Sequence, residues 1–241
     1  MKWLSREFKV SKISAVNVLE IGAGKGSFLK KVIEIGVLHG NISAIEYSDW
    51  GREQLNSLHL NEVSPESMPS DKLLSKWQGK FDFVCMFQVL EHLDELDSKL
   101  KFLYSCLRPQ GQIIFAVPNP QAIYFNELNG ALLDMPPNHI SRFSEASLQK
   151  LARRNLLEVN FFEVEPLDKL SAYREFCYYR YLRGTQAKLT VASLIARLPS
   201  KLKIRRLFEK LYRTISLLVN AVYFGKIREG SSQLVVIQKL L

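Results

Sequence analysis

Cysteine is scarce in this 241-residue chain. Cys85, Cys106 and Cys177 are odd in number and widely spaced, with no CxxC pair and no Cys/His ligand spacing. A disulfide scaffold is thereby excluded, no metal is expected, and reduced thiols in a cytoplasmic protein are the natural reading. Long apolar runs are missing too. The longest uncharged stretch near the C-terminus, 214–225, has 12 residues, whereas a bilayer span needs about 20. Residues 1–14 lack the apolar core of a secretory signal, so none is expected. No internal repeat or low-complexity tract is visible.

Acidic residues are short in the last third of the chain. Residues 1–165 carry 18 Lys+Arg against 20 Asp+Glu, net −2, while residues 166–241 carry 15 against 4, net +11. Such a basic segment can meet phosphate, an anionic membrane or nucleic acid, or it can be a solvated helical face. Apolar residues make up 47%, enough for a full core in one large domain.

Strand-like and helix-like runs alternate, which indicates a parallel sheet with crossover helices. Strands are expected over 16–21, 41–46, 81–87, 112–117, 157–164 and 234–237, with a short one near 60–63. Helices are expected over 27–35, 51–60 and 96–107, and again from Ser144. Residues 64–70 read as a loop, as do 119–138 apart from a short helix. The pattern gives an α/β sheet of seven strands, mostly parallel. Residues 1–165 and 233–241 would form this domain, and 166–232 a basic helical insertion acting as a lid or docking element. Within it, Tyr173, Phe176, Cys177, Tyr178, Tyr179 and Tyr181 cluster aromatics. Ile204, Leu207, Leu211, Ile215, Leu218 and Val222 form a helical stripe, beside Lys201, Lys203, Arg205, Arg206, Lys210 and Arg213.

Val18-Leu19-Glu20-Ile21-Gly22-Ala23-Gly24-Lys25-Gly26-Ser27 follows a strand and opens a helix. Its glycines allow a tight turn and a close backbone approach to a ligand. The spacing is G-x-G-x-G; a dinucleotide fingerprint would have glycine where Ser27 stands. Glu46 ends the second strand, where a carboxylate can accept hydrogen bonds from both ribose hydroxyls. The loop resembles motif I of the class I S-adenosylmethionine-dependent methyltransferases. The segments Phe81-Asp82-Phe83-Val84 with Val89-Leu90-Glu91-His92, and Leu107-Arg108-Pro109-Gln110-Gly111, are similar to two further motifs of that family. The resemblance covers about Val16 to Val164 and the last strand.

What the resemblance implies is a Rossmann-like seven-stranded α/β sheet, mostly parallel with an antiparallel last strand and helices on both faces, and S-adenosylmethionine as cofactor, held by Glu20, Gly22, Gly24, Gly26 and Glu46. Glu66 would stand in for the family's adenine-reading acid, and Gln88 would lie near the methionine end. Residues 135–144, Met-Pro-Pro-Asn-His-Ile-Ser-Arg-Phe-Ser, resemble a segment of a subgroup acting on bacterial polysaccharides and small metabolites. There His139, on a loop stiffened by two prolines, is the candidate general base, since a neutral imidazole can take a hydroxyl proton. Asn119 and His92 are candidates for the acceptor side, with packing as the alternative for His92. The expected acceptor is an oxygen, ahead of a nitrogen, of a small molecule or glycan. An RNA or protein methyltransferase docking through the basic insertion, and a non-catalytic cofactor-binding protein, rank behind. Nucleic acid is the least favoured partner. Peripheral contact with the inner face of an anionic membrane is the more favoured use of the basic segment.

Overall fold

The computed structural model describes residues 13–128, 132, 134–166, 168, 170, 174, 191–199, 203–224 and 230–239. The aromatic cluster at 173–181 and Lys201 lie outside them.

The sheet grows from two four-residue strands, β1 (Val18–Ile21) and β2 (Ile42–Ile45), in which every residue is buried. Such runs fit parallel strands covered on both faces. β1 lies between β2 and β4 (Phe81–Phe87), parallel to each, with Leu19 opposite Ser43 and Val84. β3 (Glu62–Ser64) adds outside β2, and β5 (Leu107–Pro118) outside β4. With β6 (Leu157–Val164) and β7 (Ser232–Lys239) the seven-stranded order is β3-β2-β1-β4-β5-β7-β6. β7 runs antiparallel to its neighbours. Contacts near both ends of β7 follow this direction. Glu165 N–H donates to the Ser232 carbonyl and Asn160 to Gln238, so the partner number rises as the other falls.

Side-chain alternation along the strands divides the core in two. Leu19, Ile21, Val84 and Met86 face one cluster, closed by α3 (Asp71–Trp77), α4 (Leu96–Cys106) and α6 (Glu145–Arg154) through Leu73, Leu103 and Leu148. Val18, Ile42 and Cys85 face the other, closed by α1 (Ser27–Glu34) and α2 (Asp49–Asn56) through Leu29, Val32 and Leu55. Helices therefore cover both faces. Cys85 and Cys106 are free and buried.

Two differences from the sequence expectation have physical causes. α3 was not anticipated; Ser70 caps it by accepting from Leu73 N–H, and Leu73 and Trp77 anchor it in the core. β5 begins at Leu107, ahead of the expected 112, because Leu107 already pairs with Phe81. The Arg108–Gly111 turn is a bulge within the strand, and the register resumes at Phe83 opposite Gln112. The segment after β5 carries α5 (Pro120–Leu128), nine residues long, in the stretch where a short helix was expected.

The chain divides into two compact units. One comprises 1–117, 143–163 and 234–241, and the other 118–142 and 164–233. Residues 118–142 thus group with the second unit, although the sequence reading placed them with 1–165. In the second unit, Asn119 is 1% exposed and acts as a clamp. Its Nδ2 donates to the Gly230 carbonyl (3.0 Å), and its Oδ1 accepts from Gln121 N–H (3.1 Å) at the start of α5. Between β6 and β7 the described elements are α7 (Val191–Ala196) and α8 (Lys203–Phe224). Among the described residues no helix is long and apolar enough to cross a membrane.

Candidate active site

The glycine loop joins the C-terminal end of β1 to α1 in the first unit. Gly22, Gly24 and Gly26 all have left-handed backbones, with φ of 68°, 52° and 73°. Gly22 and Gly26 need glycine for space as well. A Cβ on Gly22 would come within 2.7 Å of Val89, and one on Gly26 within 2.8 Å of both Leu55 and Leu58. Gly24 differs: a Cβ there would meet nothing within 4 Å among the described residues. The loop therefore packs down at its two ends and leaves open space over its middle.

Glu46 stands immediately after β2 and is 8% exposed. Its Oε2 accepts from Gly24 N–H (2.7 Å), and its Oε1 accepts from the Ser48 backbone N–H (2.9 Å) and hydroxyl (2.7 Å). A carboxylate has room for about four donors, so one position remains on Oε2. Burial pushes this carboxyl up, but the hydrogen bonds from Ser48 and Gly24 and the Arg52 charge outweigh it and hold it below its ordinary value. Glu46 is therefore an ionised acceptor fixed against the loop.

Glu20, on β1, is 4% exposed, and its Oε2 has no hydrogen-bond partner among the described residues. Burial pushes its carboxyl well above the usual range, and the nearby Glu46 charge adds to this. An orphaned carboxyl oxygen beside an open loop is a place for a donor or cation to complete.

The remaining sequence candidates are placed as follows. Glu66 lies two residues beyond β3 and is engaged by the Ser70 hydroxyl (2.8 Å) and by Lys72, which hold its carboxyl below the ordinary range, Lys72 contributing most. Gln88 follows β4 with φ 56°, its N–H donating to the Ala116 carbonyl. In the turn Leu90–His92, Glu91 is buried at 1% and His92 is exposed. His139, in the second unit, places Nδ1 3.3 Å from Asp134 Oδ1, with both side chains largely buried.

The structure brings Glu20, the glycine loop and Glu46 together. Sequence reasoning missed Ser48, Arg52 and Asp134. The signal for Ser48 was available, since serine three residues before Gly51 is a helix N-cap and it does accept from Gly51 N–H (3.1 Å). Asp134 lies five residues before His139 in a loop, where no periodic pattern marks a contact.

Residues 2–159 match the profile of the family described as Methyltransferase domain. That is more than half of the chain, and the chain belongs to this family; it is an S-adenosylmethionine-dependent methyltransferase of class I. A search of curated proteins returns no match. Among solved structures, a SAM-dependent methyltransferase from Archaeoglobus fulgidus superposes with a TM-score of 0.56 at 19% identity, over 99% of this chain and 92% of that one. An S-adenosylmethionine-dependent methyltransferase from Mesorhizobium loti gives 0.53 at 13%, over 99% and 97%. Magnesium protoporphyrin IX methyltransferase from Synechocystis, solved with bound SAH, gives 0.53 at 13%, over 99% and 79%.

Proposed function

We propose that this methyltransferase transfers the methyl group to an oxygen, ahead of a nitrogen, of a small molecule or glycan. The cofactor would be held by Glu20, Gly22, Gly24, Gly26 and Glu46, with Glu66 toward the adenine and Gln88 toward the methionine. The observation that carries this reading is the open space over Gly24, bordered by the fixed carboxylate of Glu46. A ribose hydroxyl can donate to the remaining position on Glu46 Oε2, and Glu20 Oε2 can take a donor or cation. When bound, S-adenosylmethionine supplies a methyl group made electrophilic by its sulfonium.

The chain's own contribution is positioning and handling of a proton. Asp134 Oδ1 lies 3.3 Å from His139 Nδ1, where a carboxylate would stabilise the imidazolium formed when the ring takes a proton. In the proposed role His139 Nε2 accepts the proton of the acceptor hydroxyl. His92, exposed, is the acceptor-side candidate that could contact substrate directly. Asn119 would act there by holding its loop. A small acceptor is in keeping with neighbours such as the Haemonchus contortus phosphoethanolamine N-methyltransferase 2.

The test is calorimetry with S-adenosylhomocysteine. Glu46→Ala should weaken binding by roughly 10–100-fold, the worth of hydrogen bonds to a charged group. Unchanged affinity would remove Glu46 from the site. Methyl transfer from labelled cofactor to a panel of hydroxylated saccharides and amines then separates the acceptor classes.

A further inference from the structure

The helix α8 leaves an apolar stripe exposed. A surface helix ordinarily buries its apolar stripe and shows its polar face to water. In α8 the large apolar side chains Ile204, Leu207, Phe208, Leu211 and Ile215 recur at helical spacing, and each is between 46% and 63% exposed. At 100° per residue they share one face about 100° wide. Arg205, Glu209 and Tyr212 lie off that face and are half-buried. Arg205 Nε donates to Glu209 Oε1 (2.9 Å), and its guanidinium donates to the Leu198 carbonyl (3.2 Å). The stripe is thus presented outward while internal hydrogen bonds hold the polar side. A contiguous exposed apolar patch of this kind marks an interaction surface.

The charge around the stripe selects its occupant. Residues 166–232 carry 14 Lys+Arg against 4 Asp+Glu, net +10. A second copy docked stripe to stripe would bring two such strongly positive segments together. A nucleic acid would answer the charge and leave the five apolar side chains in water. An anionic lipid surface answers both. Apolar side chains enter the acyl boundary, and Arg206 and Lys210, both exposed, stand off the stripe near the headgroups. Because no described helix is long and apolar enough to span, the helix would lie in the interface plane. We propose that α8 is a docking helix that holds this protein against an anionic membrane surface through Ile204, Leu207, Phe208, Leu211 and Ile215.

The experiment is co-sedimentation of the full chain with vesicles of phosphatidylcholine alone, and of phosphatidylcholine mixed with phosphatidylglycerol. Binding is expected to the mixed vesicles, to fall with added salt, and to be far weaker with phosphatidylcholine alone. Leu207→Ser with Leu211→Ser should lower it by about tenfold or more. Arg206→Glu with Lys210→Glu should lower it comparably. All four side chains are exposed, and circular dichroism should show unchanged helix content. The proposal is overturned if the mixed vesicles bind no better than phosphatidylcholine, or if the leucine pair leaves binding intact. It is also overturned if ultracentrifugation finds a dimer that the leucine pair dissociates, since the stripe would then be a contact between copies. Vesicle binding is read independently of S-adenosylhomocysteine binding, so either reading can fail without the other.

Discussion

Two neighbouring carboxyl groups, Glu20 and Glu46, are driven in opposite directions by their surroundings. Glu46 is lowered because donors from Ser48 and Gly24 and the Arg52 charge outweigh its burial. Glu20 is raised because burial dominates and Glu46 adds repulsion. The consequences for stability have opposite signs. Lowered Glu46 contributes stability above the ordinary carboxylate range, which is lost as pH falls through its folded value. Raised Glu20 binds its proton more tightly folded than unfolded, so its contribution declines as pH rises from the ordinary range, about 4.3, toward its raised value. Glu20→Gln removes that decline. In urea unfolding across acidic to neutral pH, the advantage of Glu20→Gln over wild type should grow with pH and then level off. A constant difference would show that Glu20 ionises normally in the folded protein.

At the scale of elements, the three glycines separate packing from ligand access. Gly26→Ala combines a left-handed backbone with a collision against Leu55 and Leu58, and should cost more than the 1–2 kcal/mol expected of backbone handedness alone (about that value for an L-residue). Gly24→Ala meets open space and should cost only that roughly 1–2 kcal/mol, while weakening S-adenosylhomocysteine more than Gly26→Ala does per unit of lost stability. Chemical denaturation and calorimetry on the pair test the contrast; equal loss of stability in both would contradict it. Ser48→Ala should cost about 1 kcal/mol as a lost cap of α2 and also raise the Glu46 pKa, since the same hydroxyl donates to that carboxylate; titration of Glu46 by carboxyl NMR reads the second effect. The glycine turn was legible from its G-x-G-x-G spacing, and β4 at 81–87 and β6 at 157–164 were legible because continuous or alternating apolar runs encode them locally. α3 was missed because seven residues barely complete two turns and follow a proline-bearing loop. The early start of β5 and the Asp134–His139 contact were not legible, since strand pairing and a loop contact supply them.

At the scale of the whole molecule, charge and fold are distributed separately. The sheet, apart from a few end residues of β5, β6 and β7, and the Glu20–Gly24–Glu46 group belong to the first unit, and the excess of basic residues lies beyond residue 165. Cofactor binding should therefore be insensitive to changes on α8 and visible as global stabilisation. A ligand present at 100 times its Kd adds about 2.7 kcal/mol, which for a chain of this size corresponds to roughly 5–10 °C in Tm. S-adenosylhomocysteine should produce that shift in scanning calorimetry. NADH should not, because the G-x-G-x-G spacing puts Ser27 where a pyrophosphate-binding turn has glycine. At the same ligand concentration Glu46→Ala should cut the shift to about half or less, and Leu207→Ser with Leu211→Ser should retain it. An equal shift from NADH would mean that the loop is a dinucleotide cradle. A shift lost in the α8 variant with intact helix content would mean that the basic segment takes part in holding the cofactor, so that the proposed division of labour is wrong.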